Sequence, residues 1–170
     1  DIVNNVSPDT ENHYVPHAVQ ADVFKKLPKK DVADFKAENM GKDAKDKMIF
    51  FWNNRNARRK QPGSLMLWFA EFAEEVGPEN VCLIMHTDPS DMHGQDLEAI
   101  LSDHNYDDGR ILLSKVKVPP AHLSMMYNMA DVTVNISDAE GFGLGTLESL
   151  SCGTPIIVTM TGGLQEQVTD

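Results

Sequence analysis

What the chain lacks narrows the field first. No stretch approaches the roughly 18–20 consecutive apolar residues of a membrane span, so no spanning helix is expected. The opening Asp-Ile-Val-Asn-Asn has neither a basic start nor an apolar run, and no signal peptide is visible. With no Met at position 1, it reads as cut from something longer. Cysteine is scarce: Cys82 and Cys152 both sit in apolar surroundings, without the spacing of a disulfide framework or a metal site. Buried reduced thiols and a cytoplasmic location are the expectation. The six histidines are scattered without paired ligand spacing, so no metal site is expected. Repeats and low-complexity tracts are absent. Positive charge is short, with 15 Lys and Arg against 26 Asp and Glu and a net charge of −11, which makes nucleic acid a poor partner.

The few cations are unevenly placed. Arg55, Arg58, Arg59 and Lys60 stand together, and beyond Lys60 only Arg110, Lys115 and Lys117 follow. Such an island in an acidic chain is either a solvated basic turn or the site of one compact anion.

A chain of 170 residues, 41% hydrophobic, suffices for one domain with one core. Residues 1–27 read as a linker and lead-in, and residues 28–170 as the domain. Pro28 opens a helix near Lys29–Asn39 that Gly41 ends. Met48–Trp52, Val81–Met85, Arg110–Leu113, Val132–Ile136 and Thr154–Thr159 read as five strands, the first of them a buried parallel strand. Between them lie four helices. One is capped by Ser64, with Leu65, Trp68, Phe69, Phe72 and Val76 at helical spacing. The others are Gln95–Ser102, the Met-rich Ala121–Met129 and Gly143–Ser151, and Leu164–Val168 starts a further turn. This alternation predicts an α/β fold, a Rossmann-like doubly wound parallel sheet. Ligands of such sheets bind at the carboxyl ends of the strands, where the loops Asn53–Gly63 and Ser137–Thr146 fall.

The run Glu140-Gly-Phe-Gly-Leu-Gly-Thr-Leu-Glu148 places three alternating glycines at a strand end and at the start of a helix. Without Cβ atoms, the backbone N–H groups can approach a ligand. A helix start offers unpaired N–H donors and partial positive charge to a phosphate. Glu140 and Glu148 flank these donors, and a carboxylate accepts from sugar hydroxyls. The alternation of polyol, anion and polyol is that of a nucleoside-diphosphate-sugar. Taken singly, Glu148 also reads as a solvated helix position and Glu140 as a helix-dipole partner. Arg55 and Lys60 supply charge for a departing diphosphate, in place of the cation that an Asp-x-Asp site would hold.

These residues resemble the signature of glycosyltransferase family 4 and its GT-B relatives. The resemblance lies in Glu140 and Glu148 followed by Ser151-Cys-Gly-Thr-Pro155. Gly162-Gly-Leu-Gln-Glu166, the lead-in Val15–Phe24, and the spacing of Arg55 to Lys60 and of Val118, Leu123 and Tyr127 add to it. It covers roughly Tyr14 to Asp170. It implies the C-terminal, donor-binding half of a GT-B fold, retention at the anomeric carbon, and no cofactor or metal. By position, Glu140 faces the sugar hydroxyls, Phe142 and Gly143 offer backbone to the sugar, and Leu144 and Gly145 give N–H groups to the phosphates. Glu148 holds the ribose, and Arg55 and Lys60 hold the diphosphate and ease its departure.

The family pattern Gly-Arg-x-x-x-x-Lys-Gly is altered by Asn54 and Gln61, so Arg58 or Arg59 can stand in for Arg55. His86-Thr-Asp-Pro89 replaces a glycine motif of the second strand, and a family glycine near the base pocket is replaced at about Val116, which leaves the base open. The resemblance implies a glycan, lipid or protein acceptor held by a preceding domain, so that this chain alone transfers nothing. A stand-alone nucleotide-sugar-binding module, or an epimerase or phosphorylase of the same architecture, are the alternatives.

Overall fold

The structure is a computed structural model that describes residues 2–41 and 46–168. Asp170, where the domain reading ends, lies outside the described residues. The elements are α1 (Ile2–Val6), α2 (Lys29–Met40), β1 (Met48–Asn53), α3 (Pro62–Val76), β2 (Val81–His86), α4 (Leu97–Asp103), β3 (Ile111–Ser114), α5 (Pro120–Met129), β4 (Val132–Asn135), α6 (Leu144–Ser151) and β5 (Ile156–Val158). Two 3-10 turns, Arg58–Lys60 and Gly162–Glu166, complete them. The second replaces the α-helical turn expected at Leu164–Val168, and α1 carries no signal that the sequence reading used.

The five strands form one parallel sheet in the order β3-β2-β1-β4-β5. Alternate residues feed two cores, which is why the strands read as unbroken apolar runs. Phe50, Trp52, Leu83, Met85, Val132 and Val134 meet Leu65, Met66, Phe69 and Ala73 of α3 on one face. Ile49, Phe51, Cys82 and Ile84 meet Met126, Tyr127 and Met129 of α5 on the other, together with Phe24 from the lead-in. Full burial of each such side chain is worth roughly 1.5–3 kcal/mol. The Met-rich stripe of α5 is therefore core. Both cysteines are free and buried, and burial pushes the Cys82 thiol up to about 11.

Two expectations about α3 need correction. Ser64 is not its cap: Gln61, at φ 55°, precedes Pro62, which occupies the first helical turn. The Ser64 hydroxyl instead donates to the Gln61 side chain at 2.9 Å. Trp68 is 59% exposed and Phe72 37%, because the inner arc of the helix is taken by Met66, Phe69, Ala70 and Ala73.

The order of the strands matters most for function. From β1 the chain winds outward to β2 and β3, then crosses back to β4 beside β1. This reversal makes β1/β4 the switch point of the sheet, where the loops after the two strands diverge and leave a crevice.

Candidate functional site

At that crevice two loops lie side by side. The 3-10 turn Arg58–Lys60 follows β1, and the segment 137–143 follows β4. Cross-links tie them together. Asp138 N–H donates to Arg59 O at 2.8 Å, and the Gln61 amide donates to the Asp138 carboxylate at 2.6 Å. The Arg59 guanidinium donates to Ala139 O, and Lys60 forms an ion pair with Glu140. Both partners of that pair are enclosed, with side-chain exposures of 7% and 12%. Burial pushes the Lys60 ammonium down to about 8, and the neighbouring Arg59 charge adds to the shift.

Beneath the second loop lies the 3-10 turn Gly162–Glu166. Gly163 N–H donates to Glu140 O at 3.1 Å. Gly162 has φ +48°, and a Cβ there would sit 1.8 Å from Glu140 O, so only glycine fits. Gln167 clamps the same loop, its amide donating to Phe142 O at 2.6 Å and to Gly143 O at 3.1 Å.

A cleft of about 330 Å³ opens between these loops and the start of α6, lined by His17, Arg55, Lys60, Glu140, Phe142 and Gly143, with Leu144 and Gly145 at the helix start. Seven of the eight predicted site residues therefore share one cleft. The eighth, Glu148, faces an adjoining cleft of about 290 Å³ with Val19, Val118, Pro120 and Leu123, and Leu144 lines both. The two glutamates thus stand on either side of the first turn of α6, in neighbouring clefts rather than one.

Two predicted groups have partners that the sequence did not announce. Arg55 donates to Asp91 through Nε at 2.7 Å and Nη2 at 3.1 Å, which leaves its remaining N–H donors for a second partner. That guanidinium, with His93 N–H second, holds the Asp91 carboxyl down at about 2. Arg58 and Arg59 instead line a separate cleft with Gln61, Gln95 and Asp138. Glu148 accepts from the Tyr127 hydroxyl at 2.8 Å, and burial raises its carboxyl above the usual range. His17 was not picked out as a site residue; it lines the cleft edge-on to Phe142, with ring centres 5.0 Å apart. No local signal marks His17 or Gln167, since each reaches the site only through the fold.

Among the described residues no helix is long and apolar enough to cross a membrane. Several solved structures share this fold. A sucrose-phosphate synthase from Thermosynechococcus elongatus is 26% identical, with a TM-score of 0.75 over 99% of this chain and 40% of its own. The Anabaena HepE protein, solved with UDP and glucose, is 16% identical, with a TM-score of 0.69 over 89% of this chain and 39% of its own. In sequence, the D-inositol 3-phosphate glycosyltransferase of Corynebacterium jeikeium is 31% identical over 146 residues, 85% of this chain and 35% of the relative. That of Streptosporangium roseum is 50% identical over 56 residues, 31% of this chain and 13% of the relative. The chain thus spans no more than about a third of the length of these curated relatives. Residues 32–170 match the family described as glycosyl transferases group 1. The parallel sheet, the crevice at its switch point and that match over most of the chain make it a member of the group 1 glycosyl transferases, with the Rossmann-like fold of a GT-B half.

Proposed function

We propose that this chain is the donor-binding half of a retaining, metal-independent glycosyltransferase of family 4, working in the cytoplasm. Its donor is a nucleoside-diphosphate-sugar, its acceptor is held by a preceding domain, and it uses no further cofactor. The observation that carries this reading is the meeting of Lys60, Glu140 and the glycine-flanked start of α6 in one cleft, beside a second cleft that holds Glu148.

The diphosphate lies across the first turn of α6. N–H groups of Leu144 and Gly145 point to it, and Lys60 and Arg55 neutralise it. Glycine at 145 lets the start of α6 sit close on the core, because a Cβ there would crowd the Tyr127 hydroxyl at 3.1 Å and Asn53 O at 3.3 Å. The sugar lies toward Glu140 and the backbone of Phe142 and Gly143. The nucleoside enters the adjoining cleft, its ribose hydroxyls donating to Glu148. In the reaction the bond between the anomeric carbon and the β-phosphate oxygen breaks, and the electron pair leaves with that oxygen. Lys60 and Arg55 stabilise the charge as it develops. The acceptor oxygen ends bonded to the same face of the carbon, and its proton passes to the released diphosphate oxygen.

Because the HepE structure was solved with UDP and glucose, UDP is the first ligand to try. Calorimetric titration with UDP, GDP, ADP and their glucose and mannose conjugates tests the proposal. One nucleoside diphosphate is expected to bind measurably, and its sugar conjugate to bind more tightly. No binding of any of them overturns it.

A further inference from the structure

Beneath the first turn of α6 a short polar relay crosses the core. Tyr127 on α5 is completely buried, its ring edge-on to Phe51 and Phe24 at centre distances of 5.1 and 6.2 Å. Its hydroxyl accepts from the Asn53 side-chain amide at 2.8 Å and donates to the Glu148 carboxylate at 2.8 Å. Asn53 is the last residue of β1, immediately before the loop that carries Arg55 and Lys60. A phenol in a packed apolar core is costly unless its hydroxyl is satisfied, and here both of its hydrogen-bonding roles are used. Tertiary contacts fix the ring, so the direction of the O–H bond is fixed as well.

The consequence falls on Glu148. A half-buried carboxylate with no fixed partner would swing among rotamers. With one oxygen held by the phenol, the other is committed to the cleft lined by Val19, Val118 and Leu123. The bond also supports the ionised form of a carboxyl that burial would otherwise push toward neutrality. An ionised carboxylate accepts from a pair of hydroxyls, whereas a protonated one offers a donor to them.

We infer that Tyr127, held by Asn53, is a positioning residue that aims Glu148 at the ribose hydroxyls and so sets the preference for a ribonucleotide in the nucleoside cleft. The inference rests on the nucleotide reading above.

The test is the ratio of affinities for UDP and 2′,3′-dideoxy-UDP, measured on the whole 170-residue chain and its variants. The unsubstituted chain is expected to favour UDP. Tyr127→Phe keeps the ring and removes the relay, and it should cut that preference by about tenfold. Binding of the dideoxy analogue should stay within about twofold, which shows that the site is still folded. Glu148→Gln should abolish the preference, and adding Tyr127→Phe to it should change nothing more. Full additivity of the two substitutions would mean that the tyrosine does not act through Glu148, and overturns the inference. Retention of the full ribose preference by Tyr127→Phe also overturns it, while UDP binding itself leaves the nucleotide reading intact. Failure of the unsubstituted chain to bind UDP, GDP or ADP overturns both. If Tyr127→Phe does not fold, replacing tyrosine by 3-fluorotyrosine carries the test, since neither Tyr14 nor Tyr106 lines either cleft. The preference is then expected to shift with the fluorinated phenol, and an unchanged preference overturns the assignment.

Discussion

Lys60 and Glu140, eighty residues apart in the chain, form an enclosed ion pair in the cleft that faces the start of α6. The carboxylate occupies the cation that a diphosphate would use. A ligand phosphate must therefore displace Glu140 or share Lys60 with it, and Glu140 is an internal competitor. Glu140→Gln should bind UDP several-fold more tightly, about threefold to tenfold from the loss of one charge-assisted competitor. The advantage of UDP-glucose over UDP should vanish in the same variant, because the acceptor for the sugar hydroxyls is gone. Parallel calorimetry of the two ligands reads both effects, and weaker UDP binding would contradict the competition.

Removing the cation should act in the opposite sense. Lys60→Ala is expected to raise the Kd of UDP by about tenfold to a hundredfold, the worth of a charge-assisted contact. The Kd of uridine should move by less than about twofold, because uridine carries no phosphate. Equal losses for the two ligands would remove Lys60 from the phosphate site.

The same lysine predicts a pH dependence. Its ammonium is pushed down to about 8, chiefly by burial. The cation is present below that pH and lost above it, so UDP affinity should fall as pH rises beyond about 8. Lys60→Arg should flatten the fall, since guanidinium stays charged. Stability moves the other way. With the folded pKa below the unfolded one, the unfolded chain binds more protons between about pH 8 and 10.5, and the lysine's contribution to stability rises across that window. Affinity and urea midpoint measured over the same pH range should diverge.

Asp91 holds Arg55 to the side of the cleft through two hydrogen bonds. Asp91→Asn should release the guanidinium, raise UDP affinity by about twofold to fivefold, and steepen its dependence on salt, because the pair is exposed and screened. No change in UDP affinity would mean that Arg55 does not reach the phosphates.

Gly162→Ala tests the support under the glycine loop. The new methyl would collide with Glu140 O in a backbone conformation that already favours glycine. A loss of about 2–4 kcal/mol is expected, from overpacking and left-handed strain together. Gly41→Ala is the control: it also has positive φ but meets nothing within 4 Å among the described residues, and should cost about 1 kcal/mol. Urea unfolding compares them, and equal costs would remove the close contact as the cause.

How much of this was legible in the sequence follows from the range of each interaction. The strands were readable because residues buried on both faces form unbroken apolar runs, as in Ile49–Trp52 and Val81–Met85. The glycine-rich turn with its two glutamates was readable because its chemistry lies within nine consecutive residues. The start of α3 was misread, since nothing local reveals that Gln61 takes a left-handed conformation before Pro62. The exposure of Trp68 was equally hidden, because the arc of a helix that meets a sheet is chosen by the packing of the whole face. The partners of the charged groups were out of reach altogether. Asp91 reaches Arg55 across 36 residues, Tyr127 reaches Glu148 across 21, and Gln167 reaches Phe142 across 25. The sequence by itself determined the five strands and the helices between them, the parallel sheet and the loop able to cradle a phosphate, all of which depend on local pattern. Only the tertiary structure decided that Lys60 and Glu140 neutralise each other and that Glu148 faces a second cleft, because the reversal of strand order at β1 and β4 brings distant loops to one edge.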